Sequence, residues 1–160
     1  LEEAVEIANF FLPRGKVIVT TKGKTKQASN TYKTLREPLD LDIPITVLVN
    51  GATASASEIL SGAFQDFDRA VIVGSRTFGK GLVQTTRPLP YGGVMKLTTS
   101  KYYIPSGRCV QAIDYKHRNE DGSVGTIPDS LTTVFHTAAA ARKRFCGMPR
   151  RTLHFCDSIR

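Results

Sequence analysis

Two residues in this chain combine chemistry with a suitable setting. Ser55 lies in the small, hydroxyl-rich turn Asn50-Gly51-Ala52-Thr53-Ala54-Ser55, and Lys80 lies between two glycines in Thr77-Phe78-Gly79-Lys80-Gly81, 25 positions later. A serine hydroxyl is a poor nucleophile until a base takes its proton. The usual base is histidine, but His117, His136 and His154 lie far from any glycine-rich turn, and a histidine triad finds no support. A lysine can replace it when desolvation favours the neutral amine. Gly79 and Gly81 allow the backbone to pass close to another element, while Phe78 and Leu82 offer apolar cover. Gln84 follows four residues on, placed to hold the lysine nitrogen through its side-chain amide.

Each residue also has a plainer reading. Ser55-Ala56-Ser57-Glu58 is the S-x-x-E pattern of a helix-starting capping box. A helix cap and a nucleophile are compatible, because free N–H groups at a helix N-terminus favour developing negative charge. Thr53 and Ser57 are rival hydroxyls. Lys80 alone reads as a surface lysine. A phosphate-binding loop is excluded, because Gly81 and Leu82 follow the lysine where that motif requires Ser or Thr.

The elements that must position these residues suggest an α/β arrangement. Leu1, Ala4, Val5, Ala8, Phe11 and Leu12 recur at helical spacing, and Pro13-Arg14-Gly15 ends that helix. Lys16–Thr21 reads as a strand, followed by a polar excursion over 22–41, an exposed hairpin or flap with a second weak strand near Thr31–Leu35. Ile43–Val49 is nearly all apolar, which predicts a strand covered on both faces. A helix from Ser55 to about Asp66 leads to a second buried strand at Ala70–Gly74, making a βαβ unit. Leu82–Thr86 and Val94–Tyr103 predict an antiparallel pair across the Pro- and Gly-rich segment 88–93, with Cys109–Ile113 as a continuation. His117–Gly125 reads as a surface loop, and Asp129–Ala141 as a short helix capped by Asp129 or Ser130.

Size and charge bound the rest. A chain of 160 residues is about one domain. Of the formal +8, the segment Arg142–Arg160 carries +5, from six basic residues against Asp157. The remaining +3 over 141 residues is unremarkable, so no nucleic-acid partner is expected, with binding through the basic tail over 142–160 as a third alternative. No apolar run approaches the roughly 20 residues of a membrane helix, and the chain opens inside a helical pattern without a signal-peptide pattern. Cys109, Cys146 and Cys156 are odd in number, with no CxxC, so neither a zinc site nor a disulfide framework is expected. The expected division is a catalytic core over 1–141 and a basic tail over 142–160 outside it.

Three motifs in order, ASASEI (54–59), RTFGKGLVQ (76–84) and YYIPSGR (102–108), closely resemble the carboxy-terminal processing, or tail-specific, peptidases of the S41 serine-protease family. The likeness extends over about residues 1–137. It implies a ClpP/crotonase-like α/β core of β-β-α units, here truncated and without the family's PDZ domain. It also implies a serine endopeptidase that cleaves proteins near their C-termini with a Ser-Lys dyad and no cofactor or metal. Matched position by position, Ser55 is the nucleophile, Lys80 the general base and Gln84 the residue that orients the lysine. The backbone N–H of Ala56 forms half of the oxyanion hole. The family takes the other half from a Gly-Gly segment ahead of the first helix, which this sequence does not contain. One such donor is worth about 3 kcal/mol, so inactivity of the fragment is the accompanying expectation. The family also implies protein or peptide substrates and export to the cell envelope or periplasm. The alternative class is a non-catalytic binding module or inert fragment of the same fold.

Overall fold

The computed structural model describes residues 1–127. It contains a helix α1 (Glu2–Phe11), strands β1 (Val17–Gly23), β2 (Asn30–Lys33) and β3 (Thr46–Val49), and a helix α2 (Ala56–Asp66). Strands β4 (Val71–Gly74), β5 (Leu82–Pro88), β6 (Val94–Tyr103), β7 (Ile113–Arg118) and β8 (Val124–Thr126) follow. The helix expected over 129–141 and the tail over 142–160 lie outside the described residues. Among those described, no helix is long and apolar enough to cross a membrane.

Helix α1 forms where the apolar stripe predicts it, burying Ala4, Val5 and Ala8, with Leu12 just beyond its end. That stripe meets Ile59, Ala63 and Phe64 of α2 in one core with Ile18, Val19, Val49 and Ile72, and the Phe11 and Phe64 rings pack edge to face. Burying side chains of this size stabilises by roughly 1.5–3 kcal/mol each. Asn9 is buried in the same surface, and its Oδ1 accepts the N–H groups of Leu35 and Arg36 at 2.7 and 3.2 Å. That pair of bonds pins the chain leaving β2 onto α1.

Strands β3 and β4 pair in parallel across α2, which is the expected βαβ unit. The expectation of two covered faces is corrected: Val49 is buried, but Leu48 is 78 % exposed. Successive strand residues point to opposite faces, and among the described residues the packed core lies against one of them only. The excursion over 22–41 contains the expected hairpin, since β2 pairs antiparallel with β1, and β2 is the edge of one antiparallel sheet of order β2-β1-β6-β5.

Beyond β6, two expectations shift. Residues 109–112 do not extend a strand; a single bridge joins Cys109 to Tyr103, and the segment then runs beside the Gly79–Gly81 loop. The polar stretch from His117 is a hairpin of β7 and β8 rather than a loop throughout, with only its tip at Asn119–Ser123 acting as the turn. His117 sits on this exposed hairpin with its Nδ1 at 2.7 Å from Asp114 Oδ2.

Candidate active site

The turn before α2 is built by its own polar side chains. The Asn50 Oδ1 accepts the Ala52 N–H at 2.9 Å, and the Thr53 hydroxyl accepts the Asn50 N–H at 3.0 Å. Ser55 then occupies the N-cap position at φ 58° and ψ −116°. An ordinary cap residue has extended backbone, so Ser55 is not one. A non-glycine residue held at positive φ costs on the order of 1–3 kcal/mol and persists only where its surroundings enforce it. Ser55 is thus held in a strained conformation where the loop over 50–54 enters α2.

Glu58 is what enforces it. This carboxylate is fully buried on the first turn of α2. Its Oε2 accepts the Ser55 N–H at 2.8 Å, as the S-x-x-E spacing predicts. The same oxygen accepts the Lys80 N–H at 2.8 Å, and Oε1 accepts the Gly79 N–H at 2.6 Å. The backbone nitrogens of Ser55 and Lys80 therefore lie no further apart than twice their distance to that oxygen. One carboxylate joins the two segments. A fourth bond, from the Phe78 N–H to the Thr53 carbonyl at 2.9 Å, runs alongside.

The lysine loop is equally fixed on its other side. Gln111 is buried and its Oε1 accepts the Gly81 N–H at 2.8 Å, while the Gly79 carbonyl accepts the Ala112 N–H at 3.0 Å. The Gly81 carbonyl accepts the Tyr102 N–H at 2.8 Å. Both glycines are required by this contact. A Cβ on Gly79 would stand 2.3 Å from the Ala112 Cβ at a φ of +84°, and one on Gly81 would stand 2.3 Å from the Gln111 nitrogen. The close approach expected of these glycines is made to residues 111–112.

Other expected features are placed differently. Lys80 is exposed and Phe78 is 56 % exposed, so the apolar cover expected from Phe78 is not over the lysine. Gln84 lies on β5, exposed, with its Nε2 at 3.5 Å from the Thr98 Oγ1 rather than bonded to Lys80. The Ala56 N–H, at the start of α2, makes no hydrogen bond among the described residues, as is usual for the first turn of a helix. Thr77 is 5 % exposed, and its hydroxyl has no hydrogen-bond partner among the described residues.

The family model of peptidase family S41 matches residues 1–121. The chain belongs to peptidase family S41. Over 113 residues it is 44 % identical to a carboxy-terminal-processing protease of Bartonella bacilliformis, a match spanning 71 % of this chain and 26 % of that protein. It is 45 % identical over 112 residues to a Staphylococcus aureus protein named "Probable CtpA-like serine protease", covering 69 % of this chain and 22 % of that one. The solved photosystem II D1 C-terminal processing protease superposes with a TM-score of 0.59 at 37 % identity, over 66 % of this chain and 27 % of that one. The S41 chain thus spans about a quarter of the length of these relatives and shares the mixed α/β fold of the solved protease.

Sequence reasoning recognised Glu58 only as a capping residue and did not single out Asp66 or Arg108. The S-x-x-E spacing shows the bond to Ser55, but no local pattern shows that the same carboxylate reaches residues 79–80. Glu58 stands off the apolar positions 56, 59, 60, 63 and 64, beside Ser61 and Gly62, so its burial follows from tertiary contacts and not from the helical stripe.

Proposed function

We propose that this S41 chain carries the catalytic centre of a serine endopeptidase that cleaves proteins near their C-termini. Ser55 is the nucleophile, Lys80 the general base and Gln84 the residue that orients the lysine once substrate is bound. The Ala56 N–H donates to the oxyanion. The Ser55 hydroxyl gives its proton to the Lys80 amine as its oxygen bonds to the scissile carbonyl carbon. The C–N bond then breaks, and the lysine returns the proton to the leaving amine. A water molecule then gives a proton to the Lys80 amine as its oxygen bonds to the acyl carbon. The ester C–O bond breaks, and the lysine returns the proton to the Ser55 oxygen, leaving a free carboxyl product and restoring the serine.

The observation that carries this reading is the Glu58 oxygen shared by the Ser55 and Lys80 N–H groups, because it holds nucleophile and base on one anchor. The open setting of Lys80 and Phe78 leaves both accessible to a polypeptide, whose binding would exclude water from the lysine. The same openness favours a second reading, a binding module without turnover. A serine-reactive phosphonate separates the two: mass spectrometry should find it on Ser55, with labelling lost in Lys80→Ala while circular dichroism is unchanged. Equal labelling of the wild type and Lys80→Ala overturns the dyad.

A further inference from the structure

The overall balance of +3 outside the tail hides a segregation of charge. Residues 7–36 and 69–113 contain no Asp or Glu. Those two stretches supply all four strands of the β2-β1-β6-β5 sheet. Three of its four lysines can be placed on one face. Lys22 stands directly opposite Lys101, Leu82 opposite the same Lys101, and Thr86 opposite Lys96. Residues directly opposite in a ladder share a face, and Leu82, Gln84 and Thr86 share one by alternation. Lys22, Lys96 and Lys101 therefore lie on a single face. Tyr32 and Tyr102, packed against the core, mark the other.

That face is a place where like charges meet without compensation. Lys22 and Lys101, directly opposite, repel one another, and none of the three lysines forms an ion pair with a described residue. Lys22 Nζ lies 4.7 Å from the centre of the Tyr103 ring, whose phenol is raised above its ordinary pKa by burial and then by Cys109. Lys101 borders a cavity of about 410 Å³ lined also by Leu82, Gln84, Thr98, Gln111 and Tyr115. The cavity begins beside the lysine loop, since Gln111 holds the Gly81 N–H and the residue after Lys101 donates to the Gly81 carbonyl.

We propose that this lysine face and its cavity form a docking surface for acidic polypeptide segments, which places Asp and Glu side chains of a substrate next to the Ser55–Lys80 centre. The proposal rests on the peptidase reading of that centre and names the substrate class it selects. Neutral polar groups in the cavity satisfy a peptide backbone, while the three ammonium groups favour carboxylates and speed encounter with an acidic chain.

Binding to the Ser55→Ala chain tests this separately from catalysis, so failure of the dyad and failure of the docking surface read out differently. A rhodamine-labelled, C-terminally amidated peptide containing several Glu residues is compared with its Glu→Gln counterpart by fluorescence anisotropy. The acidic peptide should bind about tenfold more tightly, as expected for a few exposed ion pairs acting together. The difference should vanish at high salt and in the triple variant Lys22→Gln, Lys96→Gln, Lys101→Gln. The single variants Lys22→Gln and Lys96→Gln, both at exposed positions, should each remove part of it. Equal binding of the two peptides overturns the proposal. Discrimination that survives the triple variant also overturns it, assigning the effect to another basic segment such as 142–160. Lysine-dependent binding of phosphatidylserine vesicles without peptide discrimination overturns it in favour of a membrane surface.

Discussion

Helix α2 carries a buried carboxylate at each end, and the two are satisfied by opposite means. Glu58, at the N-terminal end, takes three neutral backbone N–H groups, from Ser55, Gly79 and Lys80. Asp66, at the C-terminal end, takes the Ser106 N–H at 2.8 Å and the Arg108 guanidinium at 2.9 Å, which also reaches Gln65. Both connect the helix to a distant loop. The Asp66 connection is an ion pair between two side chains, so mutation can remove either partner or both. The Glu58 connection uses backbone donors, so no side-chain substitution can remove them. A carboxylate held by neutral donors also needs no cation of its own, which leaves the Lys80 ammonium uncommitted to Glu58.

The largest expected effect comes from breaking the neutral clamp. Glu58→Ala strips acceptors from three buried or half-buried N–H groups and should cost about 4 kcal/mol in denaturant unfolding. Phosphonate labelling of Ser55 should be lost even in the fraction that remains folded. Glu58→Gln keeps one acceptor oxygen and should cost about half as much.

Next is Arg108→Met, which leaves Asp66 buried with its N–H bond but no cation and should cost about 3 kcal/mol. Adding Asp66→Leu should recover part of that loss, since removing both members of a buried pair costs less than removing one. A double variant no more stable than Arg108→Met would erase the contrast between the two ends of the helix. Gly79→Ala, which combines a positive φ with the contact against Ala112, should cost about 2 kcal/mol by the same unfolding measurement. The smallest effect belongs to Thr77→Val. Its hydroxyl is buried without a partner among the described residues, so removing it should change stability by no more than about 0.5 kcal/mol. Loss of labelling in a Thr77→Val chain of unchanged stability would give that hydroxyl a role at the site.

Local patterns in the sequence carry most of the fold. The stripe from Leu1 to Leu12, the apolar runs at 46–49 and 71–74 and the glycines flanking Lys80 each express a constraint readable within a few residues. The open face at Leu48 was not readable, because a run of apolar residues reports hydrophobicity and not what lies over it. The Glu58 clamp was half readable. Its bond to Ser55 spans three residues and has a known spacing, while its bonds to residues 79 and 80 depend on tertiary folding. The shared face of Lys22, Lys96 and Lys101 escaped because net charge averages over faces, whereas strand register separates them.

The shared oxygen of Glu58 also has a consequence for fluctuations. Withdrawal of that carboxylate releases the Ser55, Gly79 and Lys80 amides together, so these three protons open to solvent as one unit even though they are far apart in sequence. In deuterated water they should exchange at a common opening free energy. The serine turn and the lysine loop then form a single cooperative element that loosens as a whole, and motion of either segment alone is suppressed.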